Sequence, residues 1–492
     1  MRTPSSLFAR ALTFFLVTLF CVSPALATCG GGGGGGGGGM SHGSSSGTAP
    51  ETYPVPWKIR DAKTPPAKGL VLYWFPASSD ELKKSSLRAS RTLSLYASQC
   101  VSMELADGQI PNAQQLLGDA KPPVAVIAMP DGTPVTRVEN KDGKLAVAAV
   151  EKVLDTEMKS REAAIDEQLK DGKAKVAAGD KDAAIKVFQA VAEQKCMFPS
   201  KAKSAAKELK KLGVNEVAVL ADGPDSARPV FDVRRSAQIE RVMQRGLIAE
   251  NAAQYVLAEK LYQRARVMDP ADPAPLRYLG ELYRHHTGDW NKAHTVFDAI
   301  LSMRADPLSR AVALHGLGKI TIHEGAFKKG LHLMEQSVEE FPLALAYRNL
   351  AVYWNSEGDL KQGNAYTQKA MALDPTDPYN LVFAAVFMAA SGDRAAALKV
   401  ARANINLLPA SYNLAAIYAQ NGQREKALAL LKRHFYQYER YQSVRSKEMM
   451  EARVDAVFDS LRQDSAFLAL TRDADGRLMM PMKGMAAPSQ NR

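Results

Sequence analysis

Cysteine is scarce in this chain, which has four cysteines in 492 residues. No two of them are separated by two residues, so the sequence lacks a Cys-x-x-Cys pair of the kind that carries out thiol-disulfide exchange. The histidines are scattered and form no His-x-x-x-His or Ser/His/Asp set. The glycine run that begins at Gly30 is not followed by Lys-Ser or Lys-Thr, so no phosphate-binding loop is present. These absences predict a protein that is not an enzyme and that binds no cofactor or metal ion.

Acidic residues are in the minority, with 52 Asp and Glu against 63 Lys and Arg, and the net charge is +11. The positive charge is spread along the chain. Runs such as Lys207–Lys211 are most simply solvated helix faces, and no basic helix has interleaved aromatic residues. Nucleic acid is therefore not a predicted partner. At this length one compact core is not expected, and two or three folded units are predicted.

Long apolar runs are also rare, and the most prominent one lies at the start of the chain. Arg2 and Arg10 precede the run Ala11–Val22, which is too short for a comfortable transmembrane helix and is typical of an export signal. The sequence Ala25-Leu26-Ala27 suits ordinary signal cleavage, which predicts a secreted soluble protein. Alternatively, the segment ending at Cys29 resembles a bacterial lipobox. That resemblance implies lipidation of Cys29 and, because glycine follows it, an outer-membrane location with the Gly/Ser-rich stretch as a flexible tether.

One helix-pair pattern recurs about six times between Ile239 and Ala429, at a spacing of roughly 34 residues. Each first helix contains a large-small or small-small pair such as Leu279-Gly280, where a neighbouring helix must approach closely. Prolines such as Pro342 end the second helices. We expect a left-handed glycine in the turn of most pairs, at Gly288, Gly325, Gly358, Gly392 and Gly422.

These offsets resemble the tetratricopeptide repeat (TPR) family, which implies an all-α solenoid with a concave groove lined by the first helix of each pair. By that resemblance, the partner-binding residues are Arg277, Arg284, His315, Lys319, Arg348, Asn355, Tyr379, Tyr412 and Asn413. Such a groove is basic and polar in its middle and then apolar and aromatic. It suits an extended peptide or helix with acidic residues followed by apolar anchors. An ordinary solvated or interhelical role is the alternative for each residue.

A β-α-β-α-β-β-α pattern precedes the repeats. Its predicted strands are Gly69–Phe75, Cys100–Leu105, Pro122–Met129 and Val135–Val138, and its predicted helices are Asp80–Ser98, Asn112–Leu117 and Lys144–Leu154. The order resembles the thioredoxin fold. Trp74 matches the aromatic residue of that family, and Pro123 matches the proline that flanks its active site after a cis bond. Neither active-site cysteine is present, which implies a redox-inactive domain reused for packing or binding.

Two cysteines remain for a disulfide if Cys21 leaves with the signal and Cys29 is lipidated. Cys100 and Cys196 are thus a candidate pair, which would clamp the region after residue 158 onto the domain before it. The alternatives are two buried free thiols, or Cys100 as a lone redox thiol.

The predicted fold class is mixed: an α/β thioredoxin-like domain followed by an all-α TPR solenoid. The predicted segments are 1–28, signal peptide; 29–52, tether; 53–158, thioredoxin-like domain; 159–213, helical bridge with one TPR-like pair; 214–235, linker; 236–435, solenoid; 436–475, capping helices; and 476–492, disordered tail.

The sequence favours a non-enzymatic envelope lipoprotein that faces the periplasm and binds or scaffolds a protein partner in the TPR groove. The alternative is a thiol-redox or copper-handling periplasmic protein. The tail Met479–Met485 offers thioethers that suit copper(I), although a frayed C-terminus is the simpler interpretation.

Overall fold

The computed structural model describes residues 51–60, 67, 69–214, 229–439 and 442–472. The predicted export signal, the lipidation site at Cys29, most of the tether and the methionine-rich tail lie outside the described residues. The described part is mostly helical, with a small mixed sheet near its beginning.

The sheet has five strands: β1 (Lys58–Ile59), β2 (Val71–Phe75), β3 (Ser102–Leu105), β4 (Val124–Ala128) and β5 (Pro134–Glu139). Their spatial order is β1-β3-β2-β4-β5. The first three strands run parallel to one another, and β4 and β5 are antiparallel to their neighbours. Every residue of β2 and β4 is buried, because both strands lie inside the sheet with covered faces. Sequence patterns predicted the last four strands but missed β1.

Three short helices accompany the sheet: α1 (Ser79–Lys84), α2 (Arg91–Ala97) and α3 (Ala113–Leu117). The prediction of a single helix over Asp80–Ser98 was wrong. The Ser85 side chain accepts from the backbone N–H of Leu87, and that of Ser90 accepts from the N–H of Leu93. These two caps end α1 and start α2, since a capping serine holds its own backbone outside the helix.

Three longer helices follow: α4 (Val147–Ala177), α5 (Lys181–Glu193) and α6 (Pro199–Lys211). The helix predicted to end at Leu154 continues to Ala177, because no proline interrupts the sequence, and the expected boundary at residues 158/159 falls inside it. Phe188 of α5 shares one hydrophobic core with Trp74 and Leu154. The three helices therefore complete the core of the sheet region.

The repeat region contains six helix pairs. Their helices are α7 (Val233–Asn251), α8 (Tyr255–Met268), α9 (Ala274–Glu281), α10 (Trp290–Ser302), α11 (Pro307–His323), α12 (Phe327–Glu340), α13 (Ala344–Ser356), α14 (Leu360–Leu373), α15 (Pro378–Ala390), α16 (Arg394–Ala403), α17 (Ser411–Gln420) and α18 (Arg424–Arg433). A π-helical turn, Leu282–Thr287, extends α9. All five predicted turn glycines have left-handed backbones, with φ between 66° and 99°. In the first pair, Ala253 takes that conformation instead, at φ 58°.

The small residues of the repeat allow close packing within pairs. A Cβ on Gly280 would lie 2.3 Å from the ring of Phe297, so a side chain there would displace the aromatic group. The single TPR-like pair predicted in the bridge uses the same arrangement, since a Cβ on Gly172 would lie 2.7 Å from the ring of Phe188. The recurring offsets thus correspond to recurring ring-to-backbone contacts.

The C-terminal part begins with a π-helical turn, His434–Tyr438, and continues with α19 (Gln442–Val454), a 3-10 segment (Ala456–Leu461) and α20 (Ser465–Leu470). The last two segments cap the array, because Phe458 and Phe467 share a core with Leu414 and Leu431. Helix α19 joins the core of the last repeats through Met449 and Ala452, and its Glu451 also reaches Lys319 and His323 of α11. Among the described helices, none combines the length and the apolar character needed to cross a membrane.

Candidate partner-binding groove

The inner-face side chains of the array connect each repeat to the next. Arg277 donates to Ser309 Oγ at 3.3 Å, 32 residues away, and Arg348 donates to Asn380 Oδ1 at 2.7 Å, also 32 residues away. Asn349 lies 2.8 Å from His315, and Lys319 donates to Tyr353 at 2.7 Å, both across 34 residues. These separations equal about one repeat. We call this series of contacts the inter-repeat ladder.

The predicted groove residues are almost completely buried. Side chains that are at most 6% exposed include Arg277, Arg284, His315, Lys319, Arg348, Tyr379, Tyr412 and Asn413, and Asn355 is half-buried. In the conformation described, the eight buried side chains do not form an open binding surface.

The middle of the groove is covered by α19. Glu451 of this helix lies close to three side chains of the array. Its carboxylate is 3.6 Å from His323 Nε2 and 3.9 Å from Lys319 Nζ, and it accepts a hydrogen bond from the Tyr353 hydroxyl at 3.3 Å. An acidic side chain of the same chain thus occupies the position that the sequence assigned to a partner's acidic residue.

A second carboxylate of α19, that of Glu448, faces the same interior. Its Oε2 atom lies 3.7 Å from Nε2 of His434. Nearby, Arg284 forms hydrogen bonds to both oxygens of Glu281, at 3.0 and 2.7 Å. Burial alone lowers the pKa of Arg284, but Glu281 more than offsets this effect and raises it. The Lys447 ammonium lies over the Trp290 ring, and burial lowers its pKa to about 8.

Three histidines of the groove are held in the neutral form. Burial, followed by the positive charge of nearby groups, lowers the pKa of His285, His315 and His323 well below the usual value. A cationic neighbour common to all three is Lys319. The fixed positive charge of the groove therefore comes from arginine and lysine, and it favours an anionic occupant.

One cluster has metal-ligand chemistry. Ligand atoms of His323, Glu448 and Glu451 all lie within 4.8 Å of one another and are buried. However, the adjoining small cavity is also lined by Arg284, Lys319 and Lys447. A divalent cation would have to displace the positive charge that these residues already supply. We therefore describe the cluster as part of the charge network between α19 and the array.

The aromatic end of the groove holds the C-terminal cap. The Arg348 guanidinium lies over the Tyr379 ring, 5.7 Å from its centroid. The Tyr412 hydroxyl donates to Asp455 at 3.2 Å, and its ring contacts Phe458 edge to face. Asp455 in turn caps the 3-10 segment through the backbone N–H of Val457. Predicted anchors for an apolar partner segment are thus engaged by the chain itself.

The opposite end of the groove meets the sheet region. The carbonyl of Thr52 accepts hydrogen bonds from Arg277 and Tyr278, at 3.5 and 3.3 Å. The Tyr53 hydroxyl donates to Asp272 at 2.8 Å. The segment before β1 is therefore packed against the first helices of the array.

A buried arginine strengthens the same junction. Arg91 of α2 donates to Asp272 at 2.9 Å, to Asp269, and to the carbonyl of Val230 and the hydroxyl of Ser236 at 2.7 Å each. We call this group the Arg91 cluster. Sequence reasoning missed it, although an arginine at the start of an otherwise apolar or small-residue helix was a usable signal. Elsewhere at this junction, Arg304 donates to the carbonyl of Cys196.

The structure joins Cys100 and Cys196 in a disulfide, with a Cα separation of 5.8 Å. This bond ties the start of β3 to the turn before α6. Cys100 is thus bonded here, and no free thiol stands at the edge of the sheet.

Comparison with known proteins gives one distant similarity that bears on the repeats. No family model matches the chain. Its sequence is 24% identical over 230 residues to Protein CTR9 homolog of Arabidopsis thaliana, a TPR-containing protein. The match covers 37% of this chain and 21% of that protein. The chain thus spans about a fifth of the length of this relative, and the similarity supports helical repeats without indicating a partner.

Proposed function

We propose that this protein is a non-enzymatic scaffold that binds a protein partner through the concave face of a TPR-type solenoid. The observation that carries the proposal is the seating of α19, which the groove holds through Glu448 and Glu451. A groove that holds one helix through buried carboxylates has the shape and charge to hold another. The six helix pairs and their left-handed turns support the TPR assignment.

We further propose that the sheet region is a thioredoxin-like domain without redox function. Its strand order, the position of Pro123 before β4 and the lack of cysteine in residues 75–79, directly after Trp74, support this assignment. In this role the domain serves packing: the disulfide to Cys196 and the Arg91 cluster join it to the helices that follow.

For the location we propose an exported protein anchored through lipidated Cys29, at the outer membrane and facing the periplasm. The basis is the N-terminal sequence. Radiolabelled fatty acid should attach to the wild-type chain and not to the Cys29→Ala variant. Equal labelling of both chains, or of neither, would refute the anchor.

Partner capture tests the binding function. Reversing the charge of Arg277 or Arg348 would place a carboxylate among the buried ladder contacts. We therefore use Lys319→Met, which removes groove charge at similar volume and gives up the ladder contact with Tyr353. Lys329→Met is the matched control, since Lys329 is exposed on α12. Crosslinking in native membranes should recover partners with the wild type and the control but not with Lys319→Met. Equal recovery with all three chains, each folded by circular dichroism, would refute the proposal.

A further inference from the structure

We propose that α19 is a resident ligand of the groove, which a partner helix of the same chemistry must displace. The predicted partner segment is an amphipathic helix with two carboxylates three residues apart and methionine between them. This inference rests on the proposed function, which identifies the groove as the binding site. Its test, however, needs only a peptide whose sequence is taken from this chain.

The chemistry of the partner follows from the contacts of α19. Glu448 and Glu451 are three residues apart, so they lie on one face of the helix. Both are at most 5% exposed and face the cationic interior of the groove. Met449 is 2% exposed and joins the core of the last repeats. A partner helix therefore needs a carboxylate pair for the middle of the groove and flexible apolar side chains beside it.

Displacement is favoured by incomplete hydrogen bonding of the docked helix. Within the described part of the chain, buried atoms that make no hydrogen bond include Glu448 Oε2, Arg445 Nε, and Nε and one terminal nitrogen of Arg453. Each of these atoms loses hydration on docking without gaining a hydrogen bond, which weakens docking. The inter-repeat ladder lies within the array, and contacts such as that between Lys319 and Tyr353 do not involve α19. The array should therefore persist when α19 leaves.

The helix can also leave without the cap. Segment Ala456–Leu461 and α20 are held to the last repeat separately, through the Tyr412–Asp455 hydrogen bond and the packing of Phe458 and Phe467 with Leu414 and Leu431. Helix α19 itself has 13 residues, and isolated helices of this length are marginal in water. Once undocked, it would unfold and leave the groove open while both of its ends remain attached.

The test is binding of a labelled peptide to the full-length chain. The peptide has the sequence of residues 442–454, with a side-chain staple on its exposed face, and its helicity is checked by circular dichroism. The opened chain is Ser446→Pro, which breaks α19 without altering the groove walls, and Ser446→Ala is its control. A matched peptide carries Glu448→Gln and Glu451→Gln. Hydrogen exchange reports whether α19 alone loses protection.

In the wild-type chain, α19 competes with the added peptide at an effective concentration near the millimolar range. Breaking α19 removes this competition, so it should tighten peptide binding by at least about tenfold. Ser446→Ala should bind like the wild type, and the Gln peptide should bind the opened chain at least about tenfold more weakly than the Glu peptide. Equal affinity for Ser446→Pro and wild type would overturn the inference, as would no binding to either, or equal affinity of the two peptides. Failure of partner capture with a positive peptide result would refute the proposed function alone.

Discussion

The Arg91 cluster should be the electrostatic determinant of the junction between the sheet region and the array. Arg91 is 1% exposed, and its guanidinium faces two buried carboxylates, those of Asp269 and Asp272. Removing one partner of a buried ion pair leaves an uncompensated charge and costs about 3–5 kcal/mol. We therefore expect Arg91→Ala to lower the free energy of unfolding by about that amount.

The chain offers a matched control for this substitution. Arg310 Nε and one of its terminal nitrogens both lie 2.9 Å from Oε1 of Glu340, but both side chains are about one-third exposed. A solvent-screened pair contributes about 0–1 kcal/mol, so Arg310→Ala should have little effect. Urea unfolding followed by circular dichroism measures both variants, and two separated transitions would indicate that the two regions have become uncoupled.

The variant should also respond to pH. Burial raises the pKa of Asp272, and Arg91 opposes that shift. Without the guanidinium, the pKa of Asp272 in the folded state should rise further above its value in the unfolded state. The folded state of the variant then binds more protons than the unfolded state, so it becomes relatively more stable as pH falls. The decrease in the free energy of unfolding caused by Arg91→Ala should thus be smaller at pH 5 than at pH 8. The charge argument is refuted if the loss equals that of Arg310→Ala, or if Arg91→Met combined with Asp269→Asn and Asp272→Asn is as unstable as Arg91→Ala.

Three further predictions concern other parts of the fold. Ala253→Gly should stabilise the protein by about 0.5–1 kcal/mol in urea unfolding, because glycine relieves the left-handed strain at φ 58°; unchanged stability would refute this. His315 has a folded-state pKa below the unfolded value, so it should make stability fall by about 1.4 kcal/mol per pH unit below pH 6.5. His315→Gln should flatten that slope, and an unchanged slope would contradict the burial argument. Replacing Cys100 and Cys196 together by serine should lower stability by about 2–5 kcal/mol, since the bond closes a loop across 96 residues; stability equal to that of the oxidised wild type would refute the role of the bond.

Local patterns predicted the repeat region best. The glycine positions required for left-handed turns and for close aromatic packing are properties of one helix pair, and a pair spans few enough residues for its pattern to be visible in the sequence. Gly280 and Gly172 are examples, because each leaves room for an aromatic ring one helix later. The break in the predicted Asp80–Ser98 helix depended instead on which serines capped a helix, and the sequence contains several serines there.

The contacts of the predicted groove residues could not be inferred from the sequence. Lys319 and Arg348 were predicted to bind a partner, and in the structure their contacts across 34 and 32 residues are with the next repeat. Helix α19 lies within residues 436–475, which were predicted to be capping helices. Its carboxylate at Glu451 meets Tyr353 across 98 residues, and no local periodicity records such a pairing.

The sequence by itself determined the helix pairs, most of their turns and four of the five strands of the sheet, because short-range backbone and packing preferences specify these elements. Only the tertiary structure decided what fills the groove and what joins the two regions. Arg91 and Asp269 are 178 residues apart, and Glu451 reaches Lys319 through a helix that folds back across the array. Buried charges are stable only beside opposite charges or hydrogen-bonding partners, so their positions depend on the folded chain as a whole.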